Sequence, residues 1–149
     1  KKKMNDRFLM KEIQPGAYTA MRELEKYMAS TGINPLHKEL LKVRASQING
    51  CAHCLDMHTR DARKLGETEQ RLYLLNAWRE SPQFSEQERT ILSMTEEITL
   101  ISQRGLSKET YDKAIQQFGE SGTAELIMAI VTINAWNRIA ISTHQLPGQ

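Results

Sequence analysis

The chain has 149 residues, 20 Lys and Arg against 18 Asp and Glu, a net charge of +2 at pH 7 and 40% apolar residues. That length suits one domain, residues 1–149, with one substantial core, and the scattered charge, apart from Lys1-Lys2-Lys3, offers no stripe of cations and aromatics for nucleic acid. No signal-peptide pattern and no run of about 18 apolar residues occurs, so the expectation is a soluble, cytoplasmic protein that binds neither nucleic acid nor membrane.

Residues 1–3 precede the first Met, Met4, and are set aside from functional reading. Pro15-Gly16 then opens a segment in which Met21, Leu24, Tyr27 and Met28 repeat at helical spacing until Thr31-Gly32. Asn34-Pro35 turns the chain into a second segment, apolar on one side through Leu36, Leu40, Leu41, Val43 and Ile48, and Asn49-Gly50 breaks it. From Cys51 a new stripe runs through Leu55, His58, Ala62 and Leu65 to Gly66, with Arg63 and Lys64 at the negative end of the helix dipole.

A further helix is expected from Thr68 to about Trp78. Ser85 and Glu88 form a capping box ahead of Ile91, Leu92, Thr95, Ile98 and Ile101, and Gly105 closes that helix. Ser107 caps the next, which reaches Phe118 before Gly119. The last segment, Thr123 to about His144, is apolar on most sides from Leu126 to Ile133, as a buried central helix is. Pro82 marks the only internal linker, too near its neighbours to divide domains, and no repeat is present. Without any sustained period-two alternation, the expected fold class is all-α, a bundle of about six to seven helices.

The chemistry concentrates in one place. Cys51 and Cys54 are the only cysteines, in Gly50-Cys51-Ala52-His53-Cys54, with His58 four residues beyond and Glu39 twelve residues before Cys51. On a helix turning about 100° per residue, Cys51, Cys54 and His58 share an arc of roughly 60°. His53 projects off that stripe, although near a helix start it can lean over the thiols. Gly50 lets the chain turn sharply, so Cys51 falls in the first turn, where unpaired backbone N–H groups favour a thiolate. His58, at i+4 from Cys54, can accept or return a proton, and a carboxylate on its other nitrogen strengthens it as a base. Glu39 is the best placed for that part, ahead of Glu12, Glu67 and Glu69.

Several plainer readings stand beside this one. Two cysteines can be small buried hydrophobes, His58 a satisfied core histidine, His53 a solvent-facing residue, and Glu39 a surface acid paired with Lys42 or Arg44. Trp78, Trp136, Tyr73 and the methionines could line a substrate pocket, but at helical spacing they read as core. Cys51, Cys54, His58 and Glu39 could also hold zinc, although C-x-x-C knuckles come with a second pair that this chain lacks. Leu55 follows Cys54 where c-type haem attachment needs His, and a thioredoxin-like site needs a βαβ pattern.

Glu39, Cys51, His53, Cys54 and His58 at these offsets, with Arg44-Ala45-Ser46-Gln47-Ile48-Asn49-Gly50 and Leu55-Asp56-Met57-His58 around them, resemble the signature of the alkylhydroperoxidase (AhpD-like) branch of the carboxymuconolactone decarboxylase family. The match is strong from Leu36 to Gly66; beyond that it rests on the helix layout and on Asn134-Ala135-Trp136-Asn137-Arg138. The resemblance implies an all-helical fold, homo-oligomers such as trimers or hexamers, and reduction of organic hydroperoxides. It assigns Cys54 as the attacking thiol, Cys51 as the resolving thiol, and Glu39, His53 and His58 as a proton relay. No cofactor or metal is expected, and an external dithiol or dithiol protein supplies the electrons. The full-length alkylhydroperoxidase resembles two copies of this unit, so a second protomer is expected to help complete the pocket. The competing classes are a non-enzymatic redox sensor and a general thiol-disulfide oxidoreductase.

Overall fold

The computed structural model describes residues 6–149; the Lys1-Lys2-Lys3 cluster lies outside the described residues. In chain order the helices are α1 (Met10–Ile13), α2 (Pro15–Ala29), α3 (Pro35–Asn49), α4 (Ala52–Lys64) and α5 (Glu69–Tyr73). A 3-10 helix (Leu75–Glu80) then leads to α6 (Glu86–Thr99), α7 (Ile101–Arg104) and α8 (Lys108–Ser142), with no strand among the described residues.

Most ends sit where the sequence punctuates them. Pro15 starts α2, the Asn34 side chain accepts from Leu36 N at the start of α3, and Gly50 caps that helix with φ 72°. Ser85 and Glu88 close the expected capping box on α6, and the Ser107 hydroxyl accepts from Thr110 N at the start of α8.

Four segments depart from expectation. The single turn α1 precedes the first element that the sequence marks. The stretch from Thr68 to Trp78 is split: Thr68 caps a short α5, and the chain then tightens into the 3-10 helix. Leu72 at the end of α5 and Leu75 and Trp78 in the 3-10 helix are all buried, and a spacing of three lines side chains up most closely where a turn takes three residues. Helix α6 stops at Thr99, and the single turn α7 fills the gap before Gly105. Leu65 is 50% exposed, so the buried stripe of α4 ends at Ala62. The break at Gly119 appears as expected, with φ 72° and ψ 179° inside α8.

Among the described residues, two large apolar clusters make most of the core. Leu41 and Ala45 of α3 pack with Met28, Ile91, Met94, Leu126, Ile130 and Ile133. On the other side, Leu40 and Val43 of α3 pack with Ala62, Leu72, Leu75, Trp78, Phe84 and Leu92. Because α3 feeds both clusters it holds the centre, whereas α8 leaves Val131 42% exposed. By length and composition α8 could cross a membrane, but Gly119 interrupts it and its Leu126, Ala129, Ile130 and Ile133 are core residues.

A polar seam joins α3 to α8. Asn49 Nδ2 donates to Asn134 Oδ1 at 3.0 Å and to Asn137 Oδ1 at 2.8 Å, and Asn137 Nδ2 donates to Ser46 Oγ at 3.0 Å. Asn134 Nδ2 continues the seam to Thr99 Oγ1 at 3.0 Å. Asn137 is fully buried, and each such group left unpaired would cost about 1–3 kcal/mol, so the seam fixes how α3 slides against α8. Elsewhere Arg71 joins two buried carboxylates, Glu67 and Glu88, and lies over the Phe84 ring.

Candidate active site

Helix α3 ends at Asn49, Gly50 takes the left-handed turn, and Cys51 follows as the N-cap of α4 rather than a residue of its first turn. Cys51 N donates back to Ser46 O at 3.0 Å, while Cys51 Sγ accepts from Cys54 N at 3.3 Å. The first thiol thus meets the unpaired N–H groups that favour anionic sulfur. The two sulfurs are joined as a disulfide, with Cα atoms 5.4 Å apart, and both cysteines are buried together with Ala140 of α8.

Cys54 lines a cavity of about 730 Å³; Cys51 does not. His53 and His58 line the same cavity, as do Lys42 of α3 and Asp61 of α4. Tyr18 of α2 and Trp136 of α8, whose rings meet edge to face at 5.7 Å, supply its aromatic wall. Trp136 Nε1 donates to Glu25 at 2.8 Å, which fixes the indole between α8 and α2.

Glu39 is 8% exposed. Its Oε2 lies 2.9 Å from His58 Nδ1, and its Oε1 lies 3.3 Å from Lys42 Nζ. Burial pushes the carboxyl toward its neutral form, but the hydrogen bond from His58 and the charge of Lys42 outweigh it and hold its pKa below the ordinary value. A carboxylate at this position accepts, so His58 Nδ1 donates and Nε2 carries the lone pair. His53 Nδ1 lies 3.0 Å from Leu146 O.

The structure therefore gathers Cys54, His53 and His58 at one cavity, ties Glu39 to His58, and sets Cys51 behind Cys54. Glu39 is not the surface acid of the plainer reading: it pairs with Lys42 while bonded to His58, and Arg44 turns instead to Glu96 at 3.1 Å. Glu67 pairs with Arg71, away from this cavity. Of the four groups in the zinc reading, the sulfurs bond to each other. Asp61 joins Glu39 and His58 in the set of donor atoms within 4.8 Å of one another.

Sequence reasoning missed Tyr18, Asp61 and Leu146, took Lys42 only as a surface partner of Glu39, and took Trp136 as core. Asp61 carries a usable signal, i+3 from His58 on the same helix face. Trp136, expected in the core, is brought to the site by the packing of α8 on α2.

The fold and this site define a helical protein with a cysteine pair at the head of one helix and a carboxylate–imidazole pair beside it. The carboxymuconolactone decarboxylase family model matches residues 15–97, and the chain belongs to that family, in its AhpD-like branch. An uncharacterized Bacillus subtilis protein, YdfG, is 44% identical over 93% of this chain and 95% of its own. The crystal structure of ATU0492 from Agrobacterium tumefaciens, a protein of unknown function provisionally described as the antioxidant defence protein AhpD, superposes with a TM-score of 0.92. It is 36% identical over 96% of this chain and 98% of its own. The debrominase Bmp8, solved in complex with 2,3,4-tribromopyrrole, shares the fold with a TM-score of 0.80 at 18% identity, over 92% of this chain and 74% of its own.

Proposed function

We propose that this protein is a cysteine-dependent hydroperoxide reductase acting in antioxidant defence in the cytoplasm. The observation that carries the reading is the joint presence at one cavity of Cys54 and His58, with Glu39 bonded to the far nitrogen of that imidazole.

The cycle begins from the dithiol. Cys54 Sγ, as thiolate, attacks the terminal peroxide oxygen, the O–O bond breaks, and the leaving alkoxide takes a proton to become an alcohol. His58 manages that proton from Nε2, with Glu39 stabilising the charged ring as the orienting carboxylate of a triad does. Cys54 is then a sulfenic acid. Cys51 Sγ displaces its hydroxyl, which leaves as water, and the disulfide forms. One hydroperoxide and two thiols give one alcohol, one water and one disulfide; an external dithiol returns the pair to its reduced form.

The surroundings of the two sulfurs support this division of roles. Cys54 can meet a substrate in the cavity, whereas Cys51 lies behind it with its sulfur on the N-terminus of α4. The apolar wall of Tyr18, Met57 and Trp136 suits an organic hydroperoxide. We further propose a homo-oligomer, trimeric or hexameric, in line with the AhpD-like branch.

The direct test supplies purified protein with a dithiol and an organic hydroperoxide. Consumption of the peroxide, with the oxidised product mapped to Cys51–Cys54 by mass, is the expected result. A dithiol that stays reduced in the presence of peroxide would overturn the reading.

A further inference from the structure

Beyond the end of α8 the chain turns back beside the cavity, at Gln145 and His53. Gln145 N donates to Ala140 O at 2.8 Å, which closes the helix, and the Gln145 side chain lines the cavity. The next four residues, Leu146-Pro147-Gly148-Gln149, form a tight turn: Gln149 N donates to Leu146 O at 3.2 Å, and Gly148 has φ 81°. Proline second and glycine third is the sequence a type II turn requires. The turn is braced twice more, by Leu146 N donating to Gln149 Oε1 at 2.8 Å and by Gln145 Nε2 donating to Gln149 O at 3.2 Å.

The product of this bracing is one fixed carbonyl. Leu146 O has two lone pairs; one takes Gln149 N and the other faces His53 Nδ1 at 3.0 Å. A carbonyl only accepts, so His53 Nδ1 must carry the proton, and Nε2 of the neutral ring is left as the one nitrogen able to take another. Glu39 imposes the same tautomer on His58 through the same atom. The two imidazoles of the cavity are therefore held in one protonation pattern by two unrelated acceptors, a side chain from α3 and a backbone oxygen from the C-terminal turn.

We propose that the Leu146–Gln149 turn is a positioning latch for His53, which sets its tautomer and makes it the second proton acceptor at the cavity. The role rests on the thiol-peroxidase reading, in which a second imidazole with Nε2 free has a proton to handle. A polar residue merely leaning on a nearby tail would need no turn braced by three hydrogen bonds.

The test has one arm that needs no turnover. Nitrogen-15 NMR of the histidine side chains, at a pH where the rings are neutral, is recorded for the intact chain, for a chain ending at Gln145, and for Leu146→Ala and Gly148→Ala. The intact chain and Leu146→Ala, which keeps the carbonyl, should show His53 with the proton on Nδ1. The shortened chain should shift toward the Nε2–H form that free imidazole side chains prefer. Gly148→Ala, strained at φ 81°, should fall between them, and it keeps the proposal open to test if the shortened chain fails to fold. In turnover, the shortened chain should lose on the order of tenfold in kcat, less than the roughly 10²-fold that removal of a proton-transfer group costs. Adding His53→Gln should cost no more than His53→Gln alone.

An unchanged His53 tautomer in the shortened chain, or losses that multiply in the double variant, would overturn the latch. Absence of any peroxide turnover in the intact chain would instead overturn the peroxidase reading, and the NMR result would still decide whether the turn sets the tautomer.

Discussion

Glu39 and His58 meet across the α3–α4 packing, carboxylate Oε2 to imidazole Nδ1 at 2.9 Å, although they stand nineteen residues apart in the chain. Glu39→Gln keeps the shape but replaces an ionised acceptor with an amide. Peroxide turnover at neutral pH is expected to fall by about 10²-fold or more, with the thiol content by titration unchanged.

The same carboxyl makes stability depend on pH. Its pKa in the folded protein lies below the ordinary 4.5, so ionised Glu39 favours the folded state above that value, and this contribution is lost as pH falls through the folded value. Urea unfolding of the wild type and Glu39→Gln should therefore differ most near neutrality and converge under acid conditions. A constant difference from pH 7 to pH 3 would show that the carboxylate's charge contributes nothing.

The two sulfurs should separate chemically. Cys54→Ser is expected to abolish turnover. Cys51→Ser should permit one oxidation and then stop, leaving a sulfenic acid on Cys54 that a dimedone-type trap detects by mass. The reverse pattern would exchange their roles.

Trp136→Ala removes the aromatic wall that Glu25 holds in place. For a bulky hydroperoxide kcat/KM should fall about tenfold, the loss of about 1.4 kcal/mol expected from one aromatic contact. For hydrogen peroxide, too small to reach the ring, it should change little. Steady-state assays with both substrates distinguish this from general damage.

Gly119→Ala tests the break in α8. A Cβ there meets nothing within 4 Å, so any cost comes from the backbone, whose φ of 72° and ψ of 179° are essentially restricted to glycine. Destabilisation of about 1–3 kcal/mol is expected by urea unfolding, with the cysteine chemistry intact.

Much of this was legible from local spacing. Glu39, Cys51, Cys54 and His58 could be found because helical periodicity fixes where residues a few places apart must point, and because Gly50 announces the turn between the two helices. The split of Thr68–Trp78 was not legible, since the choice between an α and a 3-10 turn falls to the burial of Leu72, Leu75 and Trp78 in the finished core. Trp136 and Tyr18 escaped for a related reason: 118 residues separate them, yet their rings touch, and no local pattern reports such a meeting. Leu146 differs from both. Pro147 and Gly148 mark the turn plainly, but nothing nearby in the chain says that its carbonyl will face a histidine 93 residues away.

The asparagine seam between α3 and α8 bears on how the cysteine pair can open and close. Asn49 is clamped to Asn134 and Asn137 two residues before Cys51, and Cys51 N is itself tied to Ser46 O. One jaw of the vice is thereby bolted to the frame. The backbone that carries Cys51 is therefore held to α8 through Asn49, so in the proposed cycle the sulfurs part by side-chain rotation or by movement at the start of α4, with the frame behind Cys51 kept in place.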